Sequence, residues 1–167
     1  RLEAGIPILL VTHEPDEILR LANDVVVIEA GRTVAQGTVA DMFARSETSA
    51  IFGRSELGSV VEGTIAAVGT DGLATVVLPG ATVEIASAGL VSGQRVRLRI
   101  RAGDVAIATA PVTAISVRNR IDCVITALWP VSDGPSMEVG LAAGGANLIA
   151  LVTKRSAAEL GLAPGMP

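Results

Sequence analysis

From Val60 onward the chain runs through one pattern twice, and that repetition limits the folds open to it. Ile121-Asp122-Cys123-Val124-Ile125-Thr126-Ala127-Leu128 aligns with Val61-Glu62-Gly63-Thr64-Ile65-Ala66-Ala67-Val68. Ser132-Asp133-Gly134 aligns with Thr70-Asp71-Gly72, and Met137 to Leu141 with Ala74 to Leu78. Leu160 to Met166 (LGLAPGM) aligns with Ala88 to Gln94 (AGLVSGQ). The second copy carries extra residues around Thr153 to Glu159, where TKRSAAEL reads as a short helix. Two units of roughly 60–70 residues, each made of short strands, predict paired small barrels.

Within the first copy the strands are read from alternation and turns. Val61 to Val68 and Leu73 to Leu78 flank the hairpin turn Gly69-Thr70-Asp71-Gly72. Pro79-Gly80 turns the chain into a strand over Thr82 to Ala86, and 88–94 connects to Arg95 to Ile100. That last strand alternates strictly, with Arg95, Arg97, Arg99 and Arg101 on one face and Val96, Leu98 and Ile100 on the other. The arginine row reads as the solvated outer face of a barrel, since half-buried antiparallel strands alternate this way by default. The second copy stops at Met166-Pro167, where the first goes on into this strand, so its barrel is expected to be open along one edge.

Composition agrees with short strands and tight turns. Eighteen glycines and eight prolines supply turns, and with aromatics at 2% the core has to be Val, Ile, Leu and Ala. The net charge of −4 argues against a nucleic-acid partner, which needs clustered Lys and Arg. A single cysteine, Cys123, excludes an internal disulfide and a cysteine-based zinc site, so no metal site is expected. The apolar runs are far short of the roughly 20 residues that span a bilayer.

The amino-terminal part has a different grammar. Ile8-Leu9-Leu10-Val11 reads as a buried parallel strand ending at Thr12-His13, and Glu14-Pro15-Asp16-Glu17 opens a helix through about Ala22. Val25 to Ile28 is a second strand, followed by the turn Glu29-Ala30-Gly31-Arg32. Thr38 is placed to cap a short helix over Val39 to Ala44, with Asp41 as its partner. The polar stretch 45–59 then marks a boundary. In an open α/β sheet, side chains just past the carboxyl end of a strand face the ligand crevice, which makes His13 a candidate site residue. A strand-end histidine that simply caps the next helix is the alternative.

The run VTHEPDEILRLANDVVVIEAGRTVAQGTVADMF resembles the end of the nucleotide-binding subunit of ABC transporters, where one histidine follows a strand and precedes a helix, a strand and a glycine hairpin. The resemblance implies a catalytic role for His13, at the γ-phosphate of ATP. A neutral imidazole can donate a hydrogen bond to a phosphate oxygen. No G-x-x-x-x-G-K-[ST] loop and no strand-ending Asp-Glu pair for Mg²⁺ occurs. These parts act together in phosphoryl transfer, so the chain alone is expected not to hydrolyse ATP.

The repeated unit is similar to the Mop or TOBE domain, an OB-like barrel. Ser116-Val117-Arg118-Asn119 corresponds to S-A-R-N, and 149–162 fits (I/V)-T-x-x-S-x-x-x-L-G-L. Arg99-Ile100-Arg101-Ala102-Gly103-Asp104-Val105 resembles the segment before S-A-R-N in molybdate transporter ATPases. Cys123 stands where the family has glycine, and the first copy has Glu56-Leu57-Gly58-Ser59 in place of the S-A-R-N cluster. The expected organisation is an α/β end of an ABC ATPase domain (1–44), a linker (45–59) and an all-β di-Mop region (60–115 and a truncated 116–167).

The same resemblance implies molybdate as ligand, with ATP and Mg²⁺ used by a longer protein. It implies as partners a second copy of the chain, membrane permease subunits and, indirectly, a periplasmic molybdate-binding protein, at the cytoplasmic face of a bacterial inner membrane. A tetrahedral dianion with acceptors only needs converging hydroxyls, N–H groups and cations. Ser116, Arg118, Asn119, Thr153, Lys154 and Ser156 supply those types in two clusters, which in the family meet at seams between Mop units, often from different subunits. Two readings stay open beside this. Ser116 and Asn119 can merely terminate a strand, with Lys154 and Arg155 solvated, and the whole chain can be a non-enzymatic molybdate- or tungstate-binding or storage module.

Overall fold

A computed structural model describes residues 6–43, 57–131 and 134–167. The linker residues 44–56 and the Ser132-Asp133 part of the second hairpin turn lie outside the described residues. The chain divides into two compact units, Arg1–Leu57 and Gly58–Pro167.

The first unit has α1 (Pro15–Leu21), the strands β1 (Asp24–Glu29) and β2 (Arg32–Thr38), and α2 (Val39–Phe43). Pro15 sits in the first turn of α1, where its missing N–H costs nothing. The Thr12 hydroxyl accepts from the backbone N–H of Glu14 (3.1 Å) and donates to the Glu17 carboxylate (2.6 Å). β1 and β2 are an antiparallel hairpin whose two turn residues, Ala30 (φ 48°) and Gly31 (φ 76°), are both left-handed. That combination gives the turn a twist matching its strands. Thr38 caps α2 as expected: its hydroxyl accepts from Asp41 N–H (3.1 Å) and donates to the Asp41 carboxylate (2.8 Å).

The α/β expectation for this unit is corrected. Residues 6–11 form no strand, and Leu9 and Val11 are 92% and 91% exposed. A parallel strand exists only through hydrogen bonds to neighbouring strands, and none of the described residues pairs with this run. The described part of the unit is an antiparallel hairpin with two short helices.

The second unit is built of two antiparallel sheets. β3 (Gly58–Val68), β4 (Leu73–Leu78), β5 (Ala81–Ala86) and β6 (Arg95–Arg101) form a sheet in the order β5-β4-β3-β6. β7 (Val124–Pro130), β8 (Ser136–Ala143) and β9 (Ala146–Thr153) form the other, and β9 leads into α3 (Lys154–Glu159). The internal repeat is visible in detail. Both first hairpins carry a β-bulge at matching places, between Ile65 and Ala67 and between Ile125 and Ala127. Ile65 exchanges hydrogen bonds with Gly93 and Gln94, and Ile125 does the same with Gly165 and Met166.

One part of the alignment shifts. Ile125 faces Leu141, whereas Ile65 faces Val76, so β8 corresponds to β4 two residues away from the spacing read in the sequence. A slip of two keeps every side chain on its face, so the apolar pattern does not resist it.

The repeats do not make two separately cored barrels. Val61, Ile65, Val76, Leu78 and Val83 of the first sheet and Ile125, Val139, Leu141, Leu148 and Ala150 of the second belong to one contiguous core. The turns Pro79-Gly80 and Gly144-Gly145 lie backbone to backbone: a Cβ on Gly144 would stand 2.6 Å from the Gly80 Cα. Among the described residues no strand pairs with 118–123 as β6 pairs with 58–64.

The arginine row is less solvated than expected. Arg95 and Arg97 both reach Glu62 on β3 (3.2 and 3.6 Å), and the Arg97 side chain is only 23% exposed. Arg97 lies directly opposite Glu62 in the register, so the pairing is the cross-strand kind that sheets favour.

Candidate oxyanion site

The segment 116–119 is exposed and lies against the first sheet. Asn119 clasps the backbone of Glu84 on β5 in both directions: its Oδ1 accepts from Glu84 N–H (2.7 Å) and its Nδ2 donates to Glu84 C=O (2.9 Å). Beside it, Arg118 Nε donates to the Glu84 carboxylate at 2.7 Å. The guanidinium keeps its two terminal nitrogens without a partner among the described residues.

This clasp has a counterpart across the repeat. Ser59 occupies the place of Asn119 in the first copy, and its hydroxyl accepts from the N–H of Ile149 on β9 (2.9 Å). Each copy thus reaches the third strand of the other, the first copy from the start of β3 and the second from the segment ahead of β7. The two clasps differ in chemistry. Ser59 is buried, with Gly58 before it and Ile149 opposite, while the other carries Arg118 and Glu84 in the open.

The second donor cluster follows β9. The Thr153 hydroxyl accepts from Ser156 N–H (2.9 Å) and shares a proton with the Ser156 hydroxyl (2.8 Å), which makes Thr153 the N-cap of α3. Each hydroxyl has one proton to give, so one of the two remains available to a ligand. Lys154 is exposed, its backbone N–H held by Pro135 C=O (2.7 Å), and its ammonium forms no ion pair among the described residues. Burial raises the thiol of Cys123, which keeps it protonated at neutral pH.

Among the described residues no hydrogen bond or ion pair joins 116–119 to 153–156. The first cluster is fixed to β5 and the second ends β9, the strand that receives Ser59. Within one chain they stand on different seams. Glu84 was not legible as a site residue, because it lies 35 positions before Asn119 and belongs to neither motif.

The pair Glu84–Arg118 has a pH signature. The hydrogen bond from Arg118 holds the Glu84 carboxyl below its ordinary value. The linked stabilisation is complete above the ordinary glutamate value and is lost as pH falls through the depressed one. An NMR titration of the Arg118 Nε–H signal should therefore show its inflection on the acid side of the usual glutamate range, and Glu84→Gln should abolish it. An inflection at or above the usual range would show that the pair is not formed in solution.

His13 lies in the bend before α1, with its side chain 95% exposed and Nε2 3.2 Å from Glu14 Oε1. No group of three or more His, Cys, Asp or Glu side chains suited to a metal ion occurs among the described residues. No helix among them is long and apolar enough to cross a membrane.

Comparison with known proteins finds relatives for the whole chain and a family match for its second copy. Residues 115–167 match the TOBE domain. The molybdenum import ATP-binding protein ModC 1 of Azotobacter vinelandii is 36% identical over 164 residues, 98% of this chain and 45% of that protein. ModC of Brucella abortus is 39% identical over 166 residues, 99% of this chain and 45% of that protein. The chain thus spans less than half the length of these relatives. A crystal structure of the cytoplasmic molybdate-binding protein ModG with molybdate bound superposes with a TM-score of 0.56 and 26% identity, covering 65% of this chain and 84% of that one. By sequence the chain is similar to the carboxyl-terminal part of the molybdenum import ATP-binding proteins, and its residues 115–167 match the TOBE domain.

Proposed function

We propose that residues 58–167 bind a tetrahedral oxyanion, molybdate or tungstate, and that the chain is the carboxyl-terminal portion of the ATP-binding subunit of a molybdate importer. The observation that carries the binding reading is the likeness to ModG, a molybdate-bound protein, over a body that here displays two exposed oxyanion-donor clusters. Lys154 brings three ammonium donors and Arg118 two free guanidinium nitrogens. Ser116, Asn119, Thr153 and Ser156 add neutral donors suited to an anion that only accepts. Because the clusters stand on different seams of one chain, a complete set is assembled when a second copy contributes one of them.

In the longer protein, His13 would contact the γ-phosphate of ATP, with Mg²⁺ held by residues outside this chain. Permease subunits at the cytoplasmic face of the membrane would be the partners, and a periplasmic molybdate-binding protein would act through them. The apolar residues 8–11, exposed here, have the composition of a strand whose neighbouring strands would come from the rest of such a domain.

Titration calorimetry with molybdate tests the binding reading. The chain should show saturable binding, and Lys154→Ala or Arg118→Ala should each weaken it about tenfold or more, since a charged hydrogen bond contributes roughly 1.5–3 kcal/mol. Unchanged binding in both variants would place the site elsewhere.

A second reading, a non-enzymatic oxyanion-binding module, is favoured by the 84% of ModG that the similarity covers. Reading the gene upstream of Arg1 separates the two. A phosphate-loop lysine and an L-S-G-G-type signature belong to the importer subunit alone.

A further inference from the structure

We propose that the Glu84 carboxylate is a built-in competitor for the oxyanion, occupying Arg118 when no ligand is bound and setting the affinity and charge preference of that half of the site. The inference rests on the oxyanion reading above. A carboxylate and a molybdate oxygen make the same demand on a guanidinium: both are anionic acceptors and both take N–H donors. In this chain Arg118 already has such a partner, with Nε 2.7 Å from the Glu84 carboxylate.

The pairing is held in place by something other than the two charges. Asn119, the next residue, grips the N–H and the C=O of Glu84 with its side-chain amide. Those bonds fix the register of the segment on β5 whatever the carboxylate does. Arg118 therefore stays beside residue 84 even when its own bond to it is broken.

The pair is also open to exchange. The Arg118 side chain is 67% exposed and that of Glu84 37% exposed, and an ion pair in water is held weakly. A dianion arriving at Arg118 can displace the carboxylate without opening the fold. It must then sit beside the displaced negative charge, and that repulsion grows with the charge of the ligand. Residue 84 should therefore weigh more heavily against a dianion than against a monoanion of the same shape.

The other clasp of the repeat supplies an internal comparison. Where the second copy has Arg118, the first has Gly58, and where β5 has Glu84, β9 has Ile149. The seam without the cation also lacks the carboxylate. A carboxylate that served only to pin the segment would be useful on both seams, since both are pinned by a side chain at residue 59 or 119.

The test is calorimetric titration of the full chain with molybdate and with perrhenate, a tetrahedral monoanion. Glu84→Gln should bind molybdate about tenfold more tightly at low salt, with a smaller gain for perrhenate. In an Arg118→Ala background the same substitution should gain clearly less, because only the repulsion remains and no competition for Arg118 is left to relieve. Unchanged or weaker molybdate binding in Glu84→Gln overturns the inference, as does an equal gain without Arg118. Where Glu84→Gln melts markedly lower than the parent, Glu84→Thr, which keeps strand propensity, is judged by the same criteria. If the parent binds and loses affinity on Arg118→Ala while Glu84→Gln is neutral, the competitor role alone falls. If neither parent nor variant binds molybdate, the oxyanion reading falls with it.

Discussion

Gly80→Ala should remove about 3–5 kcal/mol of the stability of residues 58–167, much of what a unit of this size ordinarily has. Two costs combine there. Gly80 has φ +76°, a left-handed conformation that disfavours any Cβ. The added atom would also press on the backbone of Gly144, whose Cα it overlaps and whose carbonyl carbon lies 2.8 Å away. Neither partner is the tip of a flexible side chain, so relief requires the two turns to part and the shared core to open with them. Gly72→Ala is the control: φ is +85° but nothing stands within 4 Å of the new Cβ. It carries the conformational cost alone, about 1–2 kcal/mol. Thermal melts should show Gly80→Ala lower than the parent by roughly 10 °C or more, with Gly72→Ala well above it. Similar melting for both variants would mean that the turns are not in contact in solution.

Ile65→Ala is expected to cost about 2–5 kcal/mol, the usual range for truncating a buried isoleucine, and to destabilise both sheets together. Ile65 is buried in the first sheet, and its repeat counterpart Ile125 is buried in the second. The two side chains belong to one core, so the loss of either should lower a single transition. Trp129, the only tryptophan of the chain, is in β7 of the second sheet and reports on it by fluorescence. In Ile65→Ala the Trp129 signal and the far-ultraviolet circular dichroism should fall together at a lower temperature. A Trp129 transition left at the parent temperature would show that the sheets unfold independently.

Much of this architecture was legible because it is written in local patterns. Alternation and turn residues located the four strands of the first sheet and, through the repeat, β7 and β8, though not β9, and the repeat paired Ile65 with Ile125 and Gly93 with Gly165, as the hydrogen bonds do. The spacing of β8 slipped by two because a period of two cannot distinguish such slips. Ile8 to Val11 was misread for a different reason. Its composition is that of a parallel strand, but strand structure is a property of a pair and none of the described residues forms a partner strand beside it. The donor clusters are likewise readable as residue types only. Nothing near Arg118 in the sequence names Glu84 as its partner, or places Thr153 and Ser156 on each other instead of on a ligand. Motifs specify chemistry, and the fold decides what that chemistry touches first.

The clasp between Ser59 and Ile149 has a consequence for biosynthesis. The two residues are 90 positions apart, and a ribosome adds roughly 5–20 residues per second, so β3 waits about 5–20 s after its own emergence before β9 appears. During that interval Val61 and Ile65 have no second sheet to cover them, and the Ser59 hydroxyl has no buried N–H to receive. The first sheet is thus made early but finished late. Its exposed apolar face during translation, rather than any weakness of the completed protein, marks the period in which this chain most needs protection from its neighbours.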